Sequence, residues 1–171
     1  YPVDSKERSL SYLETLPMRK MLDGLIIVSQ VFDQTIAKRL LDYHLETVSI
    51  EYNDPNFTSL VINDERGGEL ATQFLIGKGY KRIAFIGGQK SPVFGVDPII
   101  KRLNGYKKAI RSAGLDIPAD FINEYVYDHK QILKKLVEYG LPLAIFAATD
   151  VQAITFMKEA RIMGLRIPQD V

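Results

Sequence analysis

Three observations predict an α/β protein built on open parallel sheets. Short apolar runs alternate with stretches of helical periodicity, the connections are brief, and glycine and proline fall between the periodic segments. A strand inside a parallel sheet is covered on both faces and so reads as a continuous apolar run. A helix lying on that sheet needs only one apolar stripe, at three- and four-residue spacing.

The elements follow in order. Ser5 can cap a first helix over residues 6–14, with Leu10, Leu13 and Leu16 at helical spacing. Gly24-Leu25-Ile26-Ile27-Val28 reads as a buried strand, and residues 32–43 as a helix with Ile36, Leu40 and Tyr43 on one side. Residues 47–50 form the next strand, and after the polar turn Asn53-Asp54-Pro55-Asn56 the segment Leu60-Val61-Ile62 is extended. A helix over 65–77, capped by Asp64, leads to a strand over 82–86 that ends in Gly87-Gly88. Helices over 98–113, 129–138 and 150–163 then alternate with strands over 121–127 and 143–148. Both ends look cut, with only Tyr1-Pro2-Val3 to serve as a strand before the first helix and residues 167–171 reading as the approach to another strand.

Composition narrows the function classes. The 171 residues are 46% hydrophobic and 25% charged, enough apolar material for one ordinary domain or two small lobes and too much for disorder. Lys plus Arg is 22 against 21 for Asp plus Glu, a net charge of +1, so the basic excess of a free-standing nucleic-acid binder is missing. The lack of cysteine excludes disulfides and thiolate metal sites and fits a reducing cytoplasm. No run approaches the roughly 18 apolar residues of a membrane span, and residues 1–6 lack a basic-then-apolar signal pattern.

Four segments carry a family likeness. They are Leu22-Asp23-Gly24-Leu25-Ile26-Ile27; Lys78-Gly79-Tyr80-Lys81-Arg82-Ile83-Ala84-Phe85-Ile86-Gly87-Gly88; Arg102-Leu103-Asn104-Gly105-Tyr106-Lys107-Lys108-Ala109; and Ala144–Asp150 followed by Gly164-Leu165-Arg166-Ile167-Pro168-Gln169-Asp170-Val171. In this order, covering nearly all of the chain, they resemble the effector-binding core of LacI-family (LacI/GalR) bacterial transcription regulators. Tyr80 replaces the family's usual His, Glu46 its Pro, and Thr149 its Asn. The resemblance implies an incomplete, two-lobed, periplasmic-binding-protein-like (type I) core. Residues 1–62 would be a partial N-terminal lobe and 63–171 most of the C-terminal lobe, with the crossover near Ile62-Asn63-Asp64. It further implies a cytoplasmic homodimer with no cofactor, holding a small effector, a sugar or sugar derivative, between its lobes. Operator DNA would be read only by a helix-turn-helix headpiece outside this chain.

Three residues stand out as effector contacts. Arg102 precedes Gly105-Tyr106 and follows a mixed loop from Gln89, near the carboxyl edge of the sheet where open α/β folds bind ligands. Its planar guanidinium can pair with hydroxyls or a carboxylate, and it matches the family's effector-binding arginine; the plain alternative is a solvated arginine in the first turn. Asp150 follows a strand and opens a helix, so it can stabilise the helix terminus, by roughly 0.5–2 kcal/mol, and also accept from ligand hydroxyls. Glu51, where the family has Asp, ends a strand and is either an effector contact or a surface acid. Tyr52 and Phe57 could stack on a sugar, though packing is the commoner role of aromatics at strand ends. The apolar excess on the last helix, from Val151 through Met163, suits either burial or a dimer seam.

Other chemistries lack their residues. Gly87-Gly88 is followed by neither G-x-G-x-x-G nor Gly-Lys-Ser/Thr, which argues against nucleotide binding and reads as a sharp turn at the cleft edge. His44 and His129 are far apart, read as helix-surface residues, and have no partnering nucleophile or ligand set. An enzyme is therefore not expected. The remaining alternative is a sugar-binding protein of a transport system.

Overall fold

The computed structural model describes residues 6–15, 22–28, 34–88 and 98–171. They divide into two compact units, one up to Ile62 and one from Asn63 onward, each holding a three-stranded parallel sheet. The predicted Ser5 cap, Tyr1–Val3, Leu16, Phe32 and the loop from Gln89 lie outside the described residues.

The first unit runs α1 (Lys6–Thr15), β1 (Gly24–Val28), α2 (Gln34–Asp42), β2 (Glu46–Ile50) and β3 (Thr58–Leu60), with sheet order β1-β2-β3. Strand alternation turns Leu25 and Ile27 toward Leu13 of α1 and toward Ile36, Ala37 and Leu40 of α2. Phe57 packs against the same cluster, which is the packing role. Ile26 and Val28 point the other way and are 68% and 55% exposed. Among the described residues this sheet is thus covered on one face, where the continuous apolar run predicted two.

The second unit contains α3 (Asp64–Gly77), β4 (Ile83–Gly88), α4 (Pro98–Ser112), a 3-10 turn (Ala119–Phe121), β5 (Ile122–Tyr125), α5 (His129–Glu138), β6 (Ala144–Ala147) and α6 (Asp150–Ile162). Its order is β5-β4-β6, with Phe85 opposite both Ile122 and Phe146. β4 is central and buried along its whole length. Ala84 and Ile86 face Leu133, Leu136, Phe156 and Ala160 of α5 and α6. Ile83 and Phe85 face Leu103, Tyr106 and Ile110 of α4. The Tyr106 ring packs on Phe85, its hydroxyl donates to the Ile83 carbonyl at 2.7 Å, and burial raises its phenol above the ordinary tyrosine range.

Two glycines inside helices bring α3 and α4 unusually close, against the expectation that glycine falls between elements. A Cβ on Gly68 would lie 2.2 Å from the Arg102 carbonyl oxygen, and one on Gly105 2.0 Å from that of Glu65. Gly87 is also not in a turn. It lies within β4, where the Glu124 carbonyl of β5 approaches to 1.8 Å of the Cβ position.

Residues 167–170, read from the sequence as the approach to another strand, form a turn. The Asp170 carbonyl accepts from the Leu143 amide at 3.2 Å, ahead of β6. Its carboxylate takes the Arg166 guanidinium through both oxygens and the Arg166 amide at 2.8 Å, which lowers the Asp170 pKa to about 2.

Candidate functional site

The carboxyl edge of the second sheet gathers the chemistry. β6 ends at Ala147, and Ala148-Thr149 leads directly into α6. Thr149 is extended at φ −137° and ψ 159°, and its hydroxyl accepts from the Gln152 amide at 3.3 Å, so it is the cap. Asp150 is the first helical residue, exposed, with Oδ1 2.8 Å from the Val151 amide. Its charge complements the positive end of α6 and leaves the rest of the carboxylate toward solvent.

Arg102 reaches this edge from the second turn of α4. Its Nη1 donates to the Ala148 carbonyl at 2.5 Å. Its Nε and Nη2 both donate to Asp64 Oδ1, at 2.9 and 2.8 Å. The Asp64 side chain is only 9% exposed, and that of Arg102 29%. One guanidinium therefore ties the start of α3 and the body of α4 to the end of β6.

Asp64 does not cap α3, as the sequence suggested. Asn63 does so, with its side-chain oxygen accepting from the Arg66 amide at 2.9 Å. Two capping residue types adjoin here, and local spacing cannot tell which one turns inward to a partner 38 positions away. His129 is likewise no surface histidine. It is half-buried at the start of α5, with Nε2 2.7 Å from Gln152 Oε1 and its ring edge-on to Phe156. Gln152 itself was missed. Its signal was present, since Gln152, Phe156 and Ala160 form an i, i+4, i+8 stripe on α6, and all three are buried. His44 is exposed in the turn after α2, at φ 51°.

Glu51 belongs to the first unit, just past β2, at φ 72°. Its amide donates to the Leu60 carbonyl at 2.8 Å. A left-handed backbone at a non-glycine residue is strained, so this carboxylate is held in its position at a cost. Among the described residues no group of three or more His, Cys, Asp or Glu side chains could hold a metal ion. No helix there is long and apolar enough to cross a membrane.

The family described as periplasmic binding protein-like domain matches residues 72–171, more than half of the sequence. The chain belongs to this family. The HTH-type transcriptional repressor PurR of Histophilus somni (strain 129Pt) is 29% identical over 175 residues, covering 98% of this chain and 51% of the repressor. The chain thus spans about half the length of the curated relatives it matches. A PurR-family transcriptional regulator from Vibrio parahaemolyticus RIMD 2210633 superposes with a TM-score of 0.78 at 18% identity, over 98% of this chain and 64% of that one. The transcriptional regulator CelR in complex with cellobiose gives a TM-score of 0.69 at 25% identity, over 97% and 51%. The relatives of this periplasmic-binding-protein-like chain are therefore transcription regulators of the LacI and PurR kind, as the four sequence segments indicated, and a transport protein is not favoured.

Proposed function

We propose that the chain is the effector-sensing and dimerisation core of a LacI-type transcription regulator, working in the cytoplasm and performing no catalysis. The observation that carries this reading is the extent of the likeness to PurR repressors, which runs over 98% of the chain rather than over a sheet motif common to many α/β proteins. In this reading residues 1–62 are part of an N-terminal lobe and 63–171 most of a C-terminal lobe. Arg102, Asp150 and Glu51 contact the effector. A sugar suits the combination of a fixed guanidinium and carboxylates, and the CelR relative is a cellobiose complex.

Operator DNA is bound by a headpiece outside this chain, which agrees with the net charge of +1. Homodimerisation is supported by α6, where Val151, Ile154 and Ile162 are exposed while Phe156 and Ala160 are buried. The effector acts by its differential affinity for two states of the core, and the operator-binding geometry of the dimer follows.

The test is a thermal-shift screen of the chain against uncharged mono- and disaccharides, including cellobiose. The expected result is stabilisation by one or a few related sugars that grows with concentration, as binding to the native state alone requires. Stabilisation by none of them, together with specific binding of duplex DNA by this chain alone, would overturn the reading.

A further inference from the structure

Asp64 is a buried carboxylate whose oxygen faces the guanidinium of Arg102 and no other described cation. Arginine carries five N–H donors and no acceptor. Three are committed here: Nε–H and one Nη2–H to Asp64, and one Nη1–H to the Ala148 carbonyl. Among the described residues nothing takes the other two, one on each terminal nitrogen, at the partly exposed end of the side chain.

Carboxylates and phosphates pair with a guanidinium either at its Nη1–Nη2 end, where Nη1 already donates to the Ala148 carbonyl, or at its Nε–Nη2 side. In this protein its own carboxylate already fills the second. An anionic ligand would have to expel Asp64 from Arg102 and leave a buried charge unmatched, or else bind a guanidinium whose charge is already compensated. Asp150, two residues beyond Ala148 on the same sheet edge, adds a further negative charge. A hydroxyl or carbonyl oxygen meets neither obstacle, since it can accept from the two remaining N–H groups without displacing anything.

We infer that Asp64 is a positioning residue that makes this sheet edge select uncharged hydrogen-bonding ligands over phosphorylated or carboxylate ones. The inference deepens the proposed function and rests on its assignment of Arg102 to the ligand site. Asp64 acts through Arg102: it holds the guanidinium against the Ala148 carbonyl and cancels the charge that would otherwise attract an anion.

The experiment follows the Arg102 Nε–H resonance of the 171-residue chain by proton–nitrogen correlation while inorganic phosphate is added at constant ionic strength. In the wild type the resonance is expected not to move saturably. In Asp64→Asn, which keeps the shape and removes the charge, phosphate shifts it with an affinity at least about tenfold above the wild type. Asp64→Glu, which restores the charge, returns the resonance to phosphate insensitivity. A merely structural Asp64 would lower the melting temperature in both variants and leave phosphate without effect, and that result overturns the inference. Saturable phosphate binding at Arg102 in the wild type also overturns it, whatever the variants do. Should Asp64→Asn not fold, Asp64→Ser removes the same charge without adding bulk and takes its place. No effector and no DNA enter this experiment, so its failure would leave the regulator reading standing.

Discussion

Replacing Gly105 with alanine sets two helix effects against each other, and the structure decides which one wins. Alanine is the better helix former by about 1 kcal/mol, so Gly105→Ala in an isolated α4 would be stabilising. In the folded chain the new Cβ would lie 2.0 Å from the Glu65 carbonyl oxygen and 2.6 Å from the Glu69 amide nitrogen. Both atoms belong to the α3 backbone, so no flexible side chain can move aside. Ordinary contact begins near 3.4 Å, and α4 must therefore withdraw from α3 by roughly 1 Å. Overpacking of this kind costs about 1–3 kcal/mol. The withdrawal also carries Arg102, one helical turn away, off Asp64 and weakens a charged hydrogen bond that contributes about 1.5–3 kcal/mol. The expected net result is destabilisation by about 2 kcal/mol, or a fall of about 4–8 °C in melting temperature. Gly67→Ala is the control, because nothing lies within 4 Å of its Cβ position on α3. It should gain about 0.5–1 kcal/mol from helix propensity alone. Urea unfolding of the three chains, read as the midpoint at unchanged slope, measures both changes. A Gly105→Ala chain as stable as the wild type, or stabilised as much as Gly67→Ala, would refute the close-crossing argument.

Three further outcomes follow from single contacts. Tyr106→Phe removes the donor to the buried Ile83 carbonyl and should cost about 1 kcal/mol in the same urea experiment, with the Phe85 packing retained. Asp170 has its pKa lowered from 3.8 to about 2 by Arg166, so its contribution to stability is full above pH 3.8 and is lost as pH falls through about 2. Asp170→Asn should accordingly be less stable than wild type at pH 6, and acid-unfolding curves of the two should converge between those values. Glu51→Gly relieves a left-handed backbone at φ 72° and should stabilise the chain by about 0.5–1 kcal/mol, measured by thermal melting. A loss of stability there would show that the strain argument is wrong.

Elements with one strong periodicity were legible in the sequence. β4, α5 and α6 fall within a residue or two of their predicted bounds, because a continuous apolar strand or sustained helical periodicity marks both type and length. What the sequence hid was long-range pairing. Asp64 looked like a cap because Asn63-Asp64 offers two capping residues, and only the fold brings Arg102 within 2.9 Å of the second. His129 looked exposed because it opens a helix, yet Gln152 on the neighbouring helix hydrogen-bonds one of its nitrogens. Gly68 and Gly105 depart from the expectation that glycine falls between elements, and only the α3–α4 crossing shows why a side chain is excluded there. Arg102 was singled out by a family motif and its position after β4. Its neighbours on the sheet edge, Asp64 and the Ala148 carbonyl, were visible only in three dimensions.

The proposed effector-sensing role of Arg102 is tested most directly by calorimetric titration of wild type and Arg102→Lys with the sugar that the thermal-shift screen returns. Lysine keeps a positive charge opposite Asp64, so the fold is preserved, but it lacks the forked donors that hold Ala148 and Asp64 at once. Losing a charged hydrogen bond to a bound ligand corresponds to about a ten- to hundredfold weaker affinity, and that loss is the expected result. Equal affinity in two chains with matching melting curves would contradict the placement of the effector at the carboxyl edge of the second sheet.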